Sequence, residues 1–423
     1  MAAAAPEERT EFDIAIVGGG LAGASLAAAL RELPFSIALI EAFAPDSSSQ
    51  PSFDERTTAL GNASRRIFEA LGVWPGLAAE AGAITSIHVS DAGRYGFARL
   101  DAASLGQPAL GYVVPNRVLG RELWGMLRDA PRVAAFMPAR VTALIVEQDA
   151  ARIEVEQGGQ VKSLRARLVV AADGAQSMVR AVAGLSASVD DYRQVAVVAA
   201  VRTDQPNDGV AYERFTTAGP MALLPLAAPP GSGRDGACWR TLVWAASPDD
   251  AEALMQVPEA GFLARWQEAF GWRAGRALQL GRRGRYPLAL TQSSGTVAPR
   301  IVLLGNAAQA LHPVAGQGFN LALRDVAELA EVLATHGGDP GGEAVLAEYA
   351  ARRQQDRSGV IGFTDTLVRV FGNTHPTVVA ARDAGLLLFD LLPPAKRALA
   401  RVSLGFGARS PRLARGLPLR EMR

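Results

Sequence analysis

Phe12 to Val17 (FDIAIV) is a short apolar run rich in β-branched residues, and it runs straight into Gly18-Gly19-Gly20-Leu21-Ala22-Gly23. A run of this kind reads as a strand buried on both faces of a parallel sheet. Ala24 to Leu33 follows as a helix of mostly Ala and Leu stopped by Pro34, and Ser36 to Ile40 reads as the next strand, ending in Glu41. This order restricts the fold more than any other feature of the chain. Gly18, Gly20 and Gly23 fit G-x-G-x-x-G. The first glycine makes the tight turn, the second lets backbone approach a pyrophosphate, and the third lets helix pack on strand. The helix N-terminus favours the anion. Glu41 lies 23 residues after Gly18, near the spacing of about 20 at which an acid meets ribose hydroxyls. The pattern points to a dinucleotide. It does not separate FAD from NAD, and a purely structural glycine turn is the competing reading.

Composition removes other classes. Lys and Arg total 43 against 42 Asp and Glu, a net charge of +1, where nucleic-acid-binding domains are usually strongly basic. A nucleic-acid partner is therefore not expected. The single cysteine, Cys238, excludes an intramolecular disulfide framework and a multi-cysteine metal site. His88, His312, His336 and His375 are scattered, so no metal site is expected. Cys238 reads as an inert, strand-borne core residue. The uncharged stretch Ile14 to Leu30 spans 17 residues, is broken by four glycines and follows acidic rather than basic residues. It therefore reads as neither a signal peptide nor a membrane span.

Further along, Asn116 to Leu127 reads as a helix with Asn116 as N-cap. Val141 to Glu147, Arg152 to Glu156 and Leu164 to Ala171 read as strands. From 190 to 290 the pattern changes to long strand candidates, Gln194 to Val201 and Ala237 to Ala246, separated by Pro- and Gly-rich loops. That change predicts a mostly antiparallel sheet inserted into the nucleotide-binding unit. A buried strand then returns at Arg300 to Leu304, followed by a long helix, Asn320 to Leu333.

Two more glycine motifs stand at strand ends. Asp173-Gly174 follows Leu164 to Ala171; alone it is equally a turn signal. Gly305-Asn306-Ala307-Ala308-Gln309-Ala310-Leu311-His312-Pro313-Val314-Ala315-Gly316-Gln317-Gly318-Phe319-Asn320 lies between a buried strand and a helix. Irregular backbone there must find partners for its N–H and C=O groups. In these three motifs the chain resembles the single-component FAD-dependent aromatic hydroxylases, and within them the UbiH/UbiF/VisC group of ubiquinone biosynthesis. The resemblance runs from Phe12 to about Leu404. Gly305-Asn306 departs from the usual Gly-Asp of the third motif. With the residues after it, it is similar to the UbiH branch, which acts on 2-polyprenyl-6-methoxyphenol.

The resemblance implies an α/β fold. An FAD-binding, Rossmann-like domain of glutathione-reductase type is interrupted by a mostly antiparallel β-sheet substrate domain, with helices at the C-terminus. The expected boundaries are 11–82, 114–188 and 289–375 for the FAD domain, 83–113 and 189–288 for the substrate sheet, and 376–423 for the C-terminal helices and tail. Implied FAD contacts are Gly18, Gly20, Gly23, Glu41, Arg56, Arg117, Asp173, Gly174, Gly305, Asn306, Gly318, Phe319 and Asn320. Pro313, Gly316, Gln317 and Gly318 are the residues expected at the reacting flavin ring. His312 reads as a structural hydrogen-bonding group rather than a base.

By the same resemblance the protein is a monooxygenase in which NAD(P)H reduces FAD. Oxygen then forms a flavin C4a-hydroperoxide, and that species hydroxylates the ring of a polyprenyl phenol. Substrate contacts are expected from the inserted sheet between Tyr212 and Leu226, with Phe215, Met221, Leu223 and Pro225. Other proteins of ubiquinone synthesis are implied as neighbours. The alternatives are a hydroxylase of another aromatic compound, a flavin-dependent reductase or halogenase, and a flavin-binding scaffold. The Trp-x-Trp-x-x-Ile spacing of halogenases is absent.

Lys396, Arg397, Arg401, Arg409, Arg412, Arg415, Arg420 and Arg423 against Glu421 make the tail net +7, while the rest of the chain is −6. An apolar segment, Ala384 to Leu392, precedes them. Apolar beside basic suits an anionic lipid surface. The expectation is a cytoplasmic protein in peripheral contact with the inner membrane. A helix packed on the FAD domain with a solvated basic end is the competing reading.

Overall fold

The computed structural model of the chain describes residues 9–45, 50–54, 56–216, 219–228, 236–373, 375–392, 394, 396 and 410–419. The glycine-rich opening folds as β1 (Glu11–Val17), α1 (Leu21–Leu30) and β2 (Ile37–Ile40). β3 (Thr57–Gly61) leads into α2 (Asn62–Ala70), and β4 (Ser86–Asp91) pairs with β5 (Phe97–Asp101). β6 (Gly111–Pro115) pairs back on β3 and runs directly into α3 (Asn116–Arg128). After β7 (Gln160–Ala171) come β8 (Ala187–Thr203), β9 (Val210–Thr216), β10 (Gly219–Pro225) and β11 (Trp239–Ala246). Helices α4 (Pro248–Gln256) and α5 (Glu259–Phe270) precede β12 (Gly284–Ser293). The chain then returns through β13 (Ile301–Leu303) to α6 (Gln317–His336), α7 (Glu343–Gly372) and α8 (Pro376–Leu391).

β13, β7, β1 and β2 lie side by side and parallel. Ile14, Ile16, Ile37 and Leu39 pack under α1, α3 and α6. Phe12, Ala15, Val17, Ala38 and Ile40 pack on the other face, with Leu144 and Ile153 of the hairpin Arg140–Val146/Ala151–Gln157. Both side-chain parities are therefore buried, which is why the strands read as continuous apolar runs rather than alternating ones.

The second sheet has β12, β8, β11, β10, β9, β4 and β5 in that order, with only β9 and β4 parallel. Val197, Met221, Leu223, Leu242 and Trp244 face α4 and α5, where Phe262 and Trp266 are fully buried. Ala211, Ile87 and Leu224 face the opposite way and pack with Ala59 of β3 and Phe389 of α8. The architecture is the expected α/β class: a parallel nucleotide-type sheet interrupted by a mostly antiparallel one, with helices at the C-terminus.

Several local expectations shift. α1 begins at Leu21, not Ala24, because Gly20 is extended (φ −65°, ψ −171°) and helical backbone starts at the next residue. Asn116 is the first helical residue rather than the N-cap, since β6 enters α3 without a turn; its Oδ1 accepts from Thr58 Oγ1 at 2.7 Å. Cys238 is buried but lies in the turn before β11. β8 starts well before Gln194 because its first half is solvent-exposed and polar, which hides the strand pattern.

The tail also differs from a free basic end. Leu413 and Ala414 belong to the core beside α2, and the Arg412 backbone N–H donates to Glu331 at 2.5 Å. Lys396 pairs with Asp390 at 2.6 Å. Arg397, Arg401, Arg409, Arg420 and Arg423 lie outside the described residues. Among the described residues no helix is long and apolar enough to cross a membrane.

A buried charge cluster clamps α6 to α7. Arg353 Nε donates to Asp325 Oδ1 at 2.6 Å and its Nη1 to Asp356 Oδ2 at 2.6 Å, while Arg324 Nη1 donates to Asp356 Oδ1 at 3.0 Å. Gln309 donates to Asp325 Oδ2 at 2.8 Å, which ties the cluster to the loop after β13. Removing one partner of such a cluster leaves uncompensated charge in the interior. Arg353→Ala should therefore lower the unfolding free energy by about 3–5 kcal/mol, read from the urea midpoint at unchanged slope.

Candidate cofactor and substrate site

The turn after β1 is built for close approach. Gly18 has φ +101°, and a Cβ there would lie 2.4 Å from the Ala172 carbonyl oxygen at the end of β7. A Cβ on Gly23 would lie 1.8 Å from the Gly18 oxygen, so only glycine lets α1 settle on the turn. Gly20 carries no side-chain cap and the first turn of α1 holds no acid, so its N–H donors stay free for an anion. Glu41 is buried at the end of β2; its Oε2 accepts from the Gly19 N–H at 2.6 Å and its Oε1 from Phe43 at 2.9 Å. Each oxygen keeps lone-pair capacity for a hydroxyl donor. Trp124 of α3 donates its indole N–H to the Gly19 carbonyl at 3.0 Å.

Asp173 sits one strand over, past β7. Its Oδ2 accepts from the Met178 and Val179 N–H groups at 2.9 and 3.3 Å. Its Oδ1 is buried without a hydrogen-bond partner. Gly174 takes φ +89°. Arg180 links this turn to the third motif by donating to the Ala307 carbonyl at 2.9 Å. Gly305 has φ +53°, and a Cβ there would meet Ala22 of α1 at 3.2 Å. The first and third motifs thus touch. Asn306 is exposed, and its amide has no protein partner among the described residues.

The loop from Pro313 to Asn320 closes this edge. Pro313 is exposed and Gln317 buried. Gly316 takes φ +59° as the residue before α6, close against Ala59. A Cβ on Gly318 would meet nothing within 4 Å, so the backbone there borders open space. Phe319 stacks on Phe68 with centroids 6.4 Å apart. Asn320 is saturated: its Oδ1 accepts from Gly61 N and Ser64 Oγ at 2.8 and 2.6 Å, and its Nδ2 donates to the Ala59 and Gly316 carbonyls at 2.7 and 2.6 Å. Its amide clasps β3 to the loop.

The two arginines differ. Arg56 bonds Asp54 at 2.9 Å and lies 4.3 Å over the Tyr286 ring, and Tyr286 donates its hydroxyl to Asp54 at 2.8 Å. Arg56 therefore bridges the nucleotide-type unit to β12. Arg117 pairs with Glu80 at 3.1 Å and is about half exposed. His312 is buried; its Nδ1 accepts from the Val314 N–H at 3.2 Å and its Nε2 lies 3.3 Å from Gln194 Oε1. Burial pushes its pKa down to about 4, which keeps the ring neutral and structural.

In the inserted sheet the register separates the residues expected to meet substrate. Met221 and Leu223 point at α4 and α5 and are fully buried there. Phe215 points the other way and stacks on Phe371 of α7 at 3.6 Å. Two groups leave no mark in the sequence: Trp124 behind the glycine turn and Glu213 in β9. Neither stands in a motif, and only the folded register reveals which way each points.

These residues fit FAD. An uncapped helix N-terminus suits its pyrophosphate, the acid at Glu41 its ribose, the partnerless Oδ1 of Asp173 a hydroxyl of its chain, and the open backbone at Gly318 an electron-rich ring edge.

The comparisons with known proteins point the same way. The family model described as "FAD binding domain" matches residues 11–364. The chain is 38% identical to the ubiquinone hydroxylase UbiL of Rhodospirillum rubrum, over 96% of this chain and 93% of that one. It is 33% identical to the 3-demethoxyubiquinol 3-hydroxylase of Escherichia coli, over 93% and 98% respectively. Among solved structures, the p-nitrophenol 4-monooxygenase PnpA of Pseudomonas putida superposes with a TM-score of 0.76 at 20% identity, covering 95% of this chain and all of that one.

A histidine whose folded-state pKa lies below its unfolded value takes up a proton on unfolding. Its contribution is complete above the ordinary value of 6.5 and is lost as pH falls toward about 4. His312→Gln should therefore flatten the fall in stability between pH 7 and pH 5 by about 2 kcal/mol. Urea unfolding at both pH values, wild type against variant, reads this directly.

Proposed function

We propose, from the premise that the chain belongs to the FAD-binding family of ubiquinone-biosynthesis ring hydroxylases, that it hydroxylates a polyprenyl phenol of the 2-polyprenyl-6-methoxyphenol type. The observation that carries the reading is the junction of the three motifs, where Gly305 approaches Ala22 at the uncapped start of α1. FAD, when bound, would supply electron transfer from NAD(P)H and the activation of oxygen. The chain's own residues do the rest. The free N–H groups of α1 hold the pyrophosphate, and Glu41 orients a ribose. Asp173 Oδ1 and the Asn306 amide accept or donate to hydroxyls along the flavin chain. The Pro313–Asn320 loop presents backbone N–H groups to the ring, positioned through the Asn320 clasp, and stabilises charge that develops there. Arg56 and Arg117 serve at the rim of this site. The apolar sheet face opposite the loop excludes water.

The purified protein should be yellow. It should consume NAD(P)H and oxygen in step with a short-chain polyprenyl phenol and give a product one oxygen heavier by mass. NAD(P)H oxidation that yields only hydrogen peroxide, with no change in the phenol, would overturn the reading.

Contact with an anionic membrane surface belongs to the same proposal. α8 exposes Leu388 and Leu391 at 58% and 76%, beside Leu387 and Leu392, next to the basic stretch from Lys396. Exposed leucines in a row beside cationic residues favour insertion into the headgroup region. The double variant Leu388→Glu, Leu391→Glu should stop co-flotation with vesicles containing phosphatidylglycerol while leaving FAD bound. Unchanged flotation at low salt would exclude this surface.

A further inference from the structure

Glu213, in the inserted sheet, is an acid with no part in the site described so far. Glu213 lies in the middle of β9, opposite Ala222 of β10 on one side and Val89 of β4 on the other. Strand alternation turns it away from its neighbours Tyr212 and Arg214. Tyr212 packs edge-on against Phe270 of α5, so Glu213 points to the opposite face. That face meets the flavin-type loop. Ala211, two residues before Glu213, packs in one cluster with Ala59, and Ala59 touches Gly316 and accepts from Asn320.

On this face Ala211 and Phe215 are buried, whereas Val89, Glu213, Ala222 and Leu224 keep partial access. Its cross-strand neighbours on this face, Val89 and Ala222, are small and apolar. Glu213 is half-buried and has no hydrogen-bond or ion-pair partner among the described residues. Desolvation alone raises its pKa to about 8. The charged pair on the same face, Asp91 with Arg382, flanks Phe215 and neutralises itself. A lone carboxyl in an apolar wall is costly unless a ligand completes it.

We propose that Glu213 is the residue that meets the phenolic hydroxyl of the ring substrate and takes its proton as the ring is hydroxylated. The inference rests on the ring-hydroxylase reading for its substrate. In this step the phenol O–H bond breaks and its proton moves to a Glu213 carboxylate oxygen. The electron pair stays on the phenol oxygen, which enriches the ring carbons toward an electrophilic oxygen. The carboxyl is poised for this: its raised pKa lies closer to that of a phenol than an ordinary carboxylate does, which narrows the uphill gap in proton transfer.

Glu213→Gln tests this, because glutamine is close in shape and hydrogen bonding to the neutral acid and leaves the fold in place. In the wild-type holoenzyme, kcat/KM for the phenol should rise with pH through a limb near 8. Glu213→Gln should lose that limb and fall roughly a hundredfold or more, with FAD content and NAD(P)H-independent flavin spectrum unchanged. Glu213→Asp, which keeps the acid but shortens its reach, should retain a limb at reduced rate.

A second measurement does not depend on turnover. 4-Nitrophenol, whose anion is yellow, is bound to the oxidised holoenzyme and titrated by difference spectra. With Glu213 present, dye and carboxyl interact and the dye titrates with coupled, displaced steps. In Glu213→Gln it should titrate in one step, displaced by about one pH unit or more. Identical dye titrations, or a Glu213→Gln enzyme with an unchanged pH profile, would overturn the assignment. Absence of turnover with any polyprenyl phenol in wild type would instead count against the wider reading, while the dye titration still decides the role of Glu213.

Discussion

The contact between Gly23 and the Gly18 carbonyl is what the rest of the nucleotide-type unit depends on. With a Cβ–oxygen distance of only 1.8 Å available at position 23, α1 seats directly on the turn after β1. That seating brings Ala22 against Gly305, so it also fixes where the third motif can run. It leaves the α1 N–H groups uncapped and pointing outward, where their partial positive charge is available to an anion. Trp124 and Glu41 brace Gly19 from either side, one through its carbonyl and one through its N–H. A turn held this way needs little reorganisation on binding.

A second constraint lies on the loop side. Asn320 uses both amide nitrogen and oxygen on protein partners, and every one of them lies in the β3–α2 corner or the loop itself. The family resemblance places this residue beside the flavin, and its geometry makes it a positioning residue. The loop that would face the flavin ring is thereby tied to β3, and β3 is tied through Ala59 to the inserted sheet. The Arg353–Asp325 cluster anchors the same loop from behind through Gln309. The two sheets meet over a segment rigidly held from both directions.

Much of this was legible in the sequence where a backbone requirement leaves a residue signature. Gly18, Gly23 and Gly305 are glycines because positive φ or close approach demands it, so the motifs announced themselves. The continuous apolar strands announced burial on both faces. Asn116 misled because β6 passes into α3 without a turn, so an N-cap residue type stands inside the helix. Met221, Leu223 and Phe215 could not be sorted from sequence, since their facing depends on which layer covers which side of β9 and β10. Glu213 left no signal at all. An acid in a strand between Tyr212 and Arg214 reads as solvent-facing polarity until its neighbours are known to be Val89 and Ala222.

The same low-polarity surroundings that make Glu213 unusual also serve the chemistry. A ring hydroxylase has to keep water from its activated oxygen, so the wall over the flavin must be apolar. An apolar wall penalises charge, and any acid placed there is driven toward its neutral form. A carboxyl with an ordinary pKa would be a weak base for a phenol, because the proton would have to move far uphill. Desolvation closes part of that gap without adding a cation, which would hold the acid ionised and weaken its basicity. Among the described residues no charge pairs with Glu213, which is consistent with its task. One carboxyl, left bare among Ala and Val side chains, reconciles a dry site with a base.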